Sequence, residues 1–143
     1  HHFIAHEKRV EEEAIHDVYQ TFEGNTYYNQ KTFREAFSAT PIGSLCTREM
    51  TDLTIDMMVK EADRHYSEIL ARLNLSQKEL LYAIAKERRA RQITSGAFIR
   101  KHRLKSASSV QSSIKKLLAY GLVSFENGEH YIADQLMRLW LVK

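Results

Sequence analysis

The feature that most constrains the fold is a series of short patterns between residues 76 and 133. The spacing of Ser76 and Glu79 predicts a capping box that begins an amphipathic helix. Ser95 can cap a short second helix, and Ser106 can cap a longer third one. The region therefore opens with three helices separated by tight breaks.

Two β-prone runs follow the third helix. Gly121 supplies a helix stop, and the runs at 122–126 and 130–133 are joined at Asn127-Gly128, a strong signal for a two-residue hairpin. Ile93 is a candidate for a short third strand. Helix, short helix, longer helix and hairpin, in this order, predict a winged helix, which is a variant of the helix-turn-helix unit.

The segment KSASSVQSSIKK, residues 105–116, has the composition of a flexible linker. However, Val110, Ile114 and Leu117 recur at helical spacing within and just after it, behind the Ser106 cap. We therefore predict that the segment is the recognition helix of the winged helix.

If Val110, Ile114 and Leu117 face the core, the opposite face of the helix carries small polar and basic side chains. Glutamine can pair with adenine, serine can bond base edges or phosphates, and lysine binds phosphates as a point charge. Arginines of the connector at 86–92 would extend the positive rim. The predicted DNA contacts are Lys105, Ser108, Gln111, Ser112, Lys115 and Lys116, with Arg100, Lys101 and Arg103 as phosphate anchors.

Charge is divided along the chain, which carries a net charge of +3. Residues 1–74 hold eight Lys and Arg against thirteen Asp and Glu, whereas residues 75–143 hold thirteen against five. A basic half favours duplex DNA as partner. The hairpin turn opposes this interpretation, because Glu126 and Glu129 flank it. The alternative is a protein-interaction, oligomerisation or autoregulatory module that does not bind DNA.

The first half predicts a small bundle of helices. Apolar residues recur at helical spacing over 10–22, 27–37 and 47–74, with a bend near 61–64. The predicted fold is mainly α, with a helical subdomain over 1–74 and a winged-helix domain over 75–143.

The C-terminal region resembles that of a family of prokaryotic AAA+-type P-loop ATPases. The run from Leu75 to Val123 carries the resemblance, and so does an ending motif in which Tyr131, Ile132, Asp134, Leu136 and Trp140 match. The segment FEGNTYYNQKTF resembles the helical lid of that family. The resemblance implies a parent protein with a nucleotide-binding domain preceding the lid, and it makes Gly24, Tyr27 and Tyr28 candidate nucleotide-lid residues.

The sequence differs from that family in two respects that limit the nucleotide chemistry expected of this chain. No G-x-x-x-x-G-K-[ST] motif occurs in this chain, so we expect no ATP hydrolysis by it alone, and ATP and Mg²⁺ are implied only for the missing N-terminal domain. Lids of related ATPases often place an arginine where this chain has Tyr27. A tyrosine there can stack on a base or pack between helices.

Other chemistry is not indicated by the sequence. We find no framed catalytic triad and no metal-ligand spacing, and we interpret Asp134 as a helix N-cap. The single Cys46 and the lack of a long apolar run favour a reducing cytoplasm and no membrane partner. His1 and His2 are left out of the interpretation because they resemble a purification-tag remnant.

Overall fold

The structure is a computed structural model that describes residues 9–143, so His1 and His2 lie outside the described residues. The chain divides into two compact units, of which the first ends at Glu61 and the second spans Ala62–Lys143. The sequence-based boundary lies between residues 74 and 75. The structure thus assigns the helix that precedes this boundary to the second unit.

The first unit joins helices to one short pair of strands. Its elements are β1 (Arg9–Val10), α1 (Glu12–Thr21), α2 (Thr26–Ala39), β2 (Leu45–Cys46) and α3 (Arg48–Glu61). The strands run parallel, with Arg9 opposite Leu45. Asn25 begins α2 by accepting a hydrogen bond from the Tyr28 N–H at 3.0 Å.

The core of the first unit mixes apolar side chains with threonines. Val18, Phe22 and Met58 are almost fully buried where α1, α2 and α3 pack together. Four buried threonines donate their hydroxyl hydrogen to a carbonyl of the preceding helical turn, which satisfies each hydroxyl within its own helix. They are Thr32, Thr40, Thr51 and Thr54.

The second unit has the predicted order of helices and hairpin. Its elements are α4 (Asp63–Ala71), α5 (Leu75–Glu87), β3 (Ala90–Arg91), α6 (Gly96–Lys101), α7 (Ala107–Ala119), β4 (Val123–Glu126), β5 (Glu129–Ile132) and α8 (Gln135–Val142). The strands form an antiparallel sheet in the order β3-β5-β4. The mainly helical fold with a winged helix is therefore confirmed.

Helix α5 is the centre of this unit, because it packs against α7, α8 and β5. Leu81, Ile84, Leu117 and Ile132 come from these elements and have no exposed surface. Burial of such side chains stabilises a fold by about 1.5–3 kcal/mol each. Helix α7 is thus held in place by a well-packed core, which fixes the position of its outer surface.

Helix α4 belongs to the second unit because its side chains bond to the C-terminal helix. The Tyr66 hydroxyl donates to the Asp134 carboxylate at 2.7 Å, and the Trp140 Nε1–H donates to Asp63 at 2.8 Å. Asp134 also caps α8, as predicted, by accepting from the Leu136 N–H at 3.0 Å. The predicted bend near residues 61–64 is confirmed as a break at Ala62.

Two local predictions are wrong. Helix α5 is capped by Asn74, not Ser76, and the box partner is Gln77, since both residues exchange side-chain-to-backbone bonds of 2.8 and 3.0 Å. The third strand is Ala90–Arg91, not Ile93. Gln92 has a φ of +49°, which turns the chain away from the sheet, and Ile93 is buried in the core instead.

Candidate nucleic-acid interface

Helix α7 is the element that the sequence assigns to a DNA groove. It begins where Ser106 accepts a hydrogen bond from the Ser109 N–H at 3.1 Å. After its last turn Gly121 has a φ of +76°, a conformation that glycine adopts without strain. The serine-rich segment is therefore a helix with defined ends, as predicted.

The two faces of α7 differ sharply in burial. Val110, Ser113 and Leu117 are buried, while Ile114 is only half-buried. Ser113 is a buried position that periodicity did not reveal, because a serine does not count towards an apolar stripe. The outer face exposes every side chain assigned to it, namely Lys105, Ser108, Gln111, Ser112, Lys115 and Lys116.

The lysines of this face form no ion pair within residues 9–143, although Glu79 lines the same small pocket as Lys105. Within residues 9–143, no carboxylate oxygen lies within 4.0 Å of the ammonium group of Lys105, Lys115 or Lys116. Their charges are therefore not neutralised locally, and each flexible side chain can reach a phosphate without first breaking an ion pair.

The anchor Lys101 is placed differently. Its ammonium group lies 2.8 Å from Oε2 of Glu87, and the same oxygen contacts Nε2 of His102 at 2.6 Å. Hydrogen bonds from Lys101 and His102 hold the pKa of Glu87 below its usual value, so the carboxylate stays charged. Glu87 therefore fixes the end of α6 against the end of α5.

The other two anchors are exposed. Arg100 lies over the first turn of its own helix, since a Cβ added to Gly96 would come within 2.9 Å of its Nη1. Arg103 has a φ of +53° in the turn that leads to α7. Both residues belong to the part of the unit where α6 joins the recognition helix.

The wing has the predicted turn, with Asn127 at φ +53° and Gly128 at φ +76°. The flanking acidic side chains are not isolated. Glu129 pairs with Nε of Arg91 at 3.3 Å, and Glu126 accepts a hydrogen bond from the Tyr131 hydroxyl at 3.2 Å. Arg91 therefore offsets the charge of Glu129, while the exposed Glu126 keeps its negative charge.

A shallow depression lies between β3 and α6. Its volume is about 420 Å³. The lining combines two cations with small polar and apolar groups, from Arg91, Gln92, Ser95, Ala97, Phe98 and Lys101. Sequence reasoning did not find this feature, because its cations come from two elements and their carboxylate partners from two more.

The candidate nucleotide-lid residues lie in the first unit. Gly24 ends the turn after α1 with a φ of +77°, and Tyr27 is 64% exposed at the start of α2. Tyr28 is half-buried, and its ring centroid is 5.0 Å from that of Phe22. Tyr28 therefore packs within the bundle, while Tyr27 presents its ring to solvent.

Three further properties concern the described part of the chain. Residues 9–143 contain no group of three or more His, Cys, Asp or Glu side chains arranged to hold a metal ion. No helix among them is long and apolar enough to cross a membrane. Cys46 is buried, and burial raises the pKa of its thiol.

Comparison with known proteins gives one match. A family model described as "Probable winged helix domain" matches residues 64–143, which is the second unit almost from end to end. No curated protein and no solved structure matches this chain. The family match and the observed order of helices and hairpin agree, and the chain belongs to the family of probable winged helix domains.

Proposed function

We propose that residues 62–143 form a module that binds duplex DNA, with the outer face of α7 in the major groove. The observation that supports this most is the exposed row of lysines, none of which has a carboxylate partner within residues 9–143. Lys115 and Lys116 lie on α7 and Lys105 precedes its cap, and such a group of unneutralised cations attracts a polyanion and releases its counterions.

The small side chains of α7 favour a close approach. Ser108 and Ser112 are exposed one helical turn apart, and neither extends far from the helix. Gln111 is exposed at the flank of this face and can form paired hydrogen bonds with an adenine edge. In this arrangement the lysines bind the phosphates on either side, and Gln111 reads the bases.

The ATPase parent is a further part of the proposal. It rests on the sequence resemblance of the ending motif, in which Tyr131 and Trp140 match, and on the lid-like segment around Gly24. The intact mass and N-terminal sequence of the native protein provide the test. A longer chain with a P-loop would support the parent, and a native chain without one would rule it out.

Docking of a protein is the second candidate. Three apolar side chains of α7, the following turn and the wing are well exposed: Leu118 at 38%, Tyr120 at 55% and Phe125 at 56%. Exposed aromatic side chains are enriched where proteins bind each other. Under this alternative the wing binds a partner, and α7 has no nucleic-acid contact.

The test is a salt titration of binding to a labelled duplex by fluorescence anisotropy. Replacing Lys105, Lys115 and Lys116 by alanine should raise Kd about 100-fold at low salt, roughly 50 mM. The slope of log K against log salt should fall by about three, because three phosphate contacts are lost.

The matched control replaces Arg64, Arg72 and Lys78 by alanine, which removes the same charge from α4, the residue that follows it and the start of α5. We expect less than about a fivefold rise in Kd, which would reflect only the lower net charge. Equal losses in the two triple variants, or no binding by the wild-type protein, would reject the α7 interface and favour protein docking.

A further inference from the structure

The depression between β3 and α6 contains two cations that are held in place from outside it. Nε of Arg91 pairs with Glu129 of the wing, and Nζ of Lys101 pairs with Glu87 of α5. Each cation thus belongs to one element and is oriented by another. The side chains of Arg91 and Lys101 both line the same open depression, whose volume is about 420 Å³.

Both cations keep hydrogen-bond donors that the ion pairs do not use. A guanidinium group has five N–H donors and an ammonium group has three. Arg91 contacts Glu129 through Nε, and its Nη1 lies beside Gly128, 3.5 Å from where a Cβ would stand. The side chains of Arg91 and Lys101 are each 66% exposed, so a ligand can reach the remaining donors.

The carboxylates limit the motion of these two long side chains. A free lysine or arginine loses much rotamer freedom when it binds a ligand, and part of that loss is already incurred when an ion pair orients it. Because the pKa of Glu87 is lowered, its carboxylate is charged at neutral pH and keeps its ion pair with Lys101. The two cations are therefore oriented before an anion arrives, while the carboxylates cancel part of their charge.

We propose that this depression is a phosphate-binding site, in which Arg91 and Lys101 grip one phosphate group from two sides. Phosphate offers several acceptor oxygens to converging donors, which suits a pair made of one arginine and one lysine. The walls from Ala97 and Phe98 are apolar and can contact the sugar next to the phosphate.

The source of the phosphate is a DNA strand that passes the recognition helix. Helix α6 ends at Lys101 and is joined to α7 by residues 102–106, so one cation of the depression is separated from the proposed recognition helix by a single short connection. This choice of source rests on the proposed function, whereas the phosphate chemistry does not. It also assigns a role to the acidic wing, because Glu129 then orients Arg91.

The first arm of the test uses inorganic pyrophosphate and two-dimensional NMR of the full chain. We expect saturable shifts of the amide signals of residues 91–98 at millimolar pyrophosphate. The shifts should disappear in the R91A/K101A variant. They should persist in R64A/R72A, which removes the same charge from α4 and the residue that follows it. Absent shifts, or shifts that both variants retain, would overturn the phosphate site.

The second arm uses duplex DNA and distinguishes the sources. R91A/K101A should raise Kd about tenfold and lower the salt slope by about one, with a smaller rise for R64A/R72A. Unchanged DNA affinity, with pyrophosphate shifts intact in the wild type, would assign the site to a free phosphate compound and overturn the DNA source. If the wild-type protein does not bind duplex DNA but still shows the pyrophosphate shifts, only the proposed function is rejected.

Circular dichroism and thermal unfolding of all variants serve as the folding control. Arg91 and Lys101 are exposed, so both double variants should unfold within a few degrees of the wild type. If R91A/K101A does not fold, the single variants R91Q and K101Q replace it, and each should weaken the pyrophosphate shifts about threefold. Full shifts in both would overturn the site.

Discussion

The recognition helix and the depression beside it present positive charge in opposite ways. On α7 the cations have no carboxylate partner within residues 9–143, while at the depression each cation is held by a carboxylate of another element. Unpaired lysines adapt to the position of a phosphate, but they lose side-chain entropy on binding. Paired cations lose less entropy, but part of their charge is cancelled.

The difference teaches that net charge alone describes this surface poorly. The second unit carries most of its cations near α6, α7 and the preceding connector. Arg89 lies over the Tyr131 ring at 3.9 Å, Arg91 pairs with the wing and Lys101 pairs with Glu87. Two connector cations, Arg89 and Arg91, therefore help to hold the wing in place as well as adding positive charge to the surface.

Among single substitutions, the largest change should come from giving α7 the carboxylate that it lacks. S112E places a negative charge in the middle of the outer face, so we expect Kd for duplex DNA to rise about 30-fold, or roughly 2 kcal/mol. The stability of the fold should not fall, because the new carboxylate would stand four residues before Lys116, where such a pair is slightly stabilising. Anisotropy titration and thermal unfolding measure the two effects.

The neutral variant S112Q is the control for that prediction. Glutamine has nearly the same size as glutamate and no charge. We expect less than about a threefold rise in Kd for this variant. A similar loss in S112E and S112Q would mean that crowding, not charge, limits binding at this position.

The next effect should come from the wing turn. G128A forces alanine into a φ of +76°, which should lower the free energy of unfolding by about 1–2 kcal/mol. Steric crowding adds little, since the nearest atom would be Arg91 Nη1 at 3.5 Å. The distorted turn should also release Glu129 and weaken the pyrophosphate shifts at the depression. Chemical denaturation and NMR are the measurements.

G43A is the matched control, because Gly43 has a φ of +80° in the first unit and open space around it. It should cost similar stability and leave the pyrophosphate shifts unchanged. Weakened shifts in G43A would show that the effect of G128A is not specific to the wing.

A smaller effect is expected when one of the holding carboxylates is neutralised. E87Q should lower the free energy of unfolding by about 1 kcal/mol, because Glu87 is only partly exposed and bonds to both Lys101 and His102. The folded-state pKa of Glu87 is lowered, so this contribution is complete above its ordinary value of 4.5 and is lost as the pH falls through the folded value.

Denaturation at several pH values tests this directly. The difference between wild type and E87Q should shrink steadily below about pH 4.5. E68Q, which removes the exposed Arg64–Glu68 pair, should have no measurable effect at any pH. A difference that persists in acid would show that Glu87 does not act through its charge.

The smallest expected effect concerns His130, which lies on β5 with its ring 4.5 Å from that of Phe125. Its Nδ1 is buried and has no hydrogen-bond partner within the described residues. Burial lowers the pKa of His130 below 6.5, so the unfolded chain takes up the proton first and stability falls as the pH drops below that value.

H130F should remove this dependence, which we expect to amount to less than about 1 kcal/mol between about pH 7.5 and about pH 5.5. Thermal unfolding at the two pH values provides the measurement, and H16F, at an exposed position of α1, is the control. An equally steep pH dependence in H130F would assign it to another group.

Much of the second unit could be predicted because its signals are local. The caps at Ser95, Ser106 and Asp134 and the Asn127-Gly128 turn act within a few residues, and each stands where the sequence places it. The cap of α5 was misplaced because Asn74 and Ser76 both have suitable side chains. A local signal cannot rank two candidates that the same turn of helix allows.

The sequence by itself determined which residues of α7 face outward and where the hairpin turns, because helical periodicity and turn chemistry depend on near neighbours. Only the tertiary structure decided which of the exposed cations are paired. Arg91 meets Glu129 through the pairing of β3 with β5, and Lys101 meets Glu87 where the ends of α6 and α5 come together. The contrast between the free lysines of α7 and the held cations of the depression therefore depends on packing between distant segments, which no local pattern encodes.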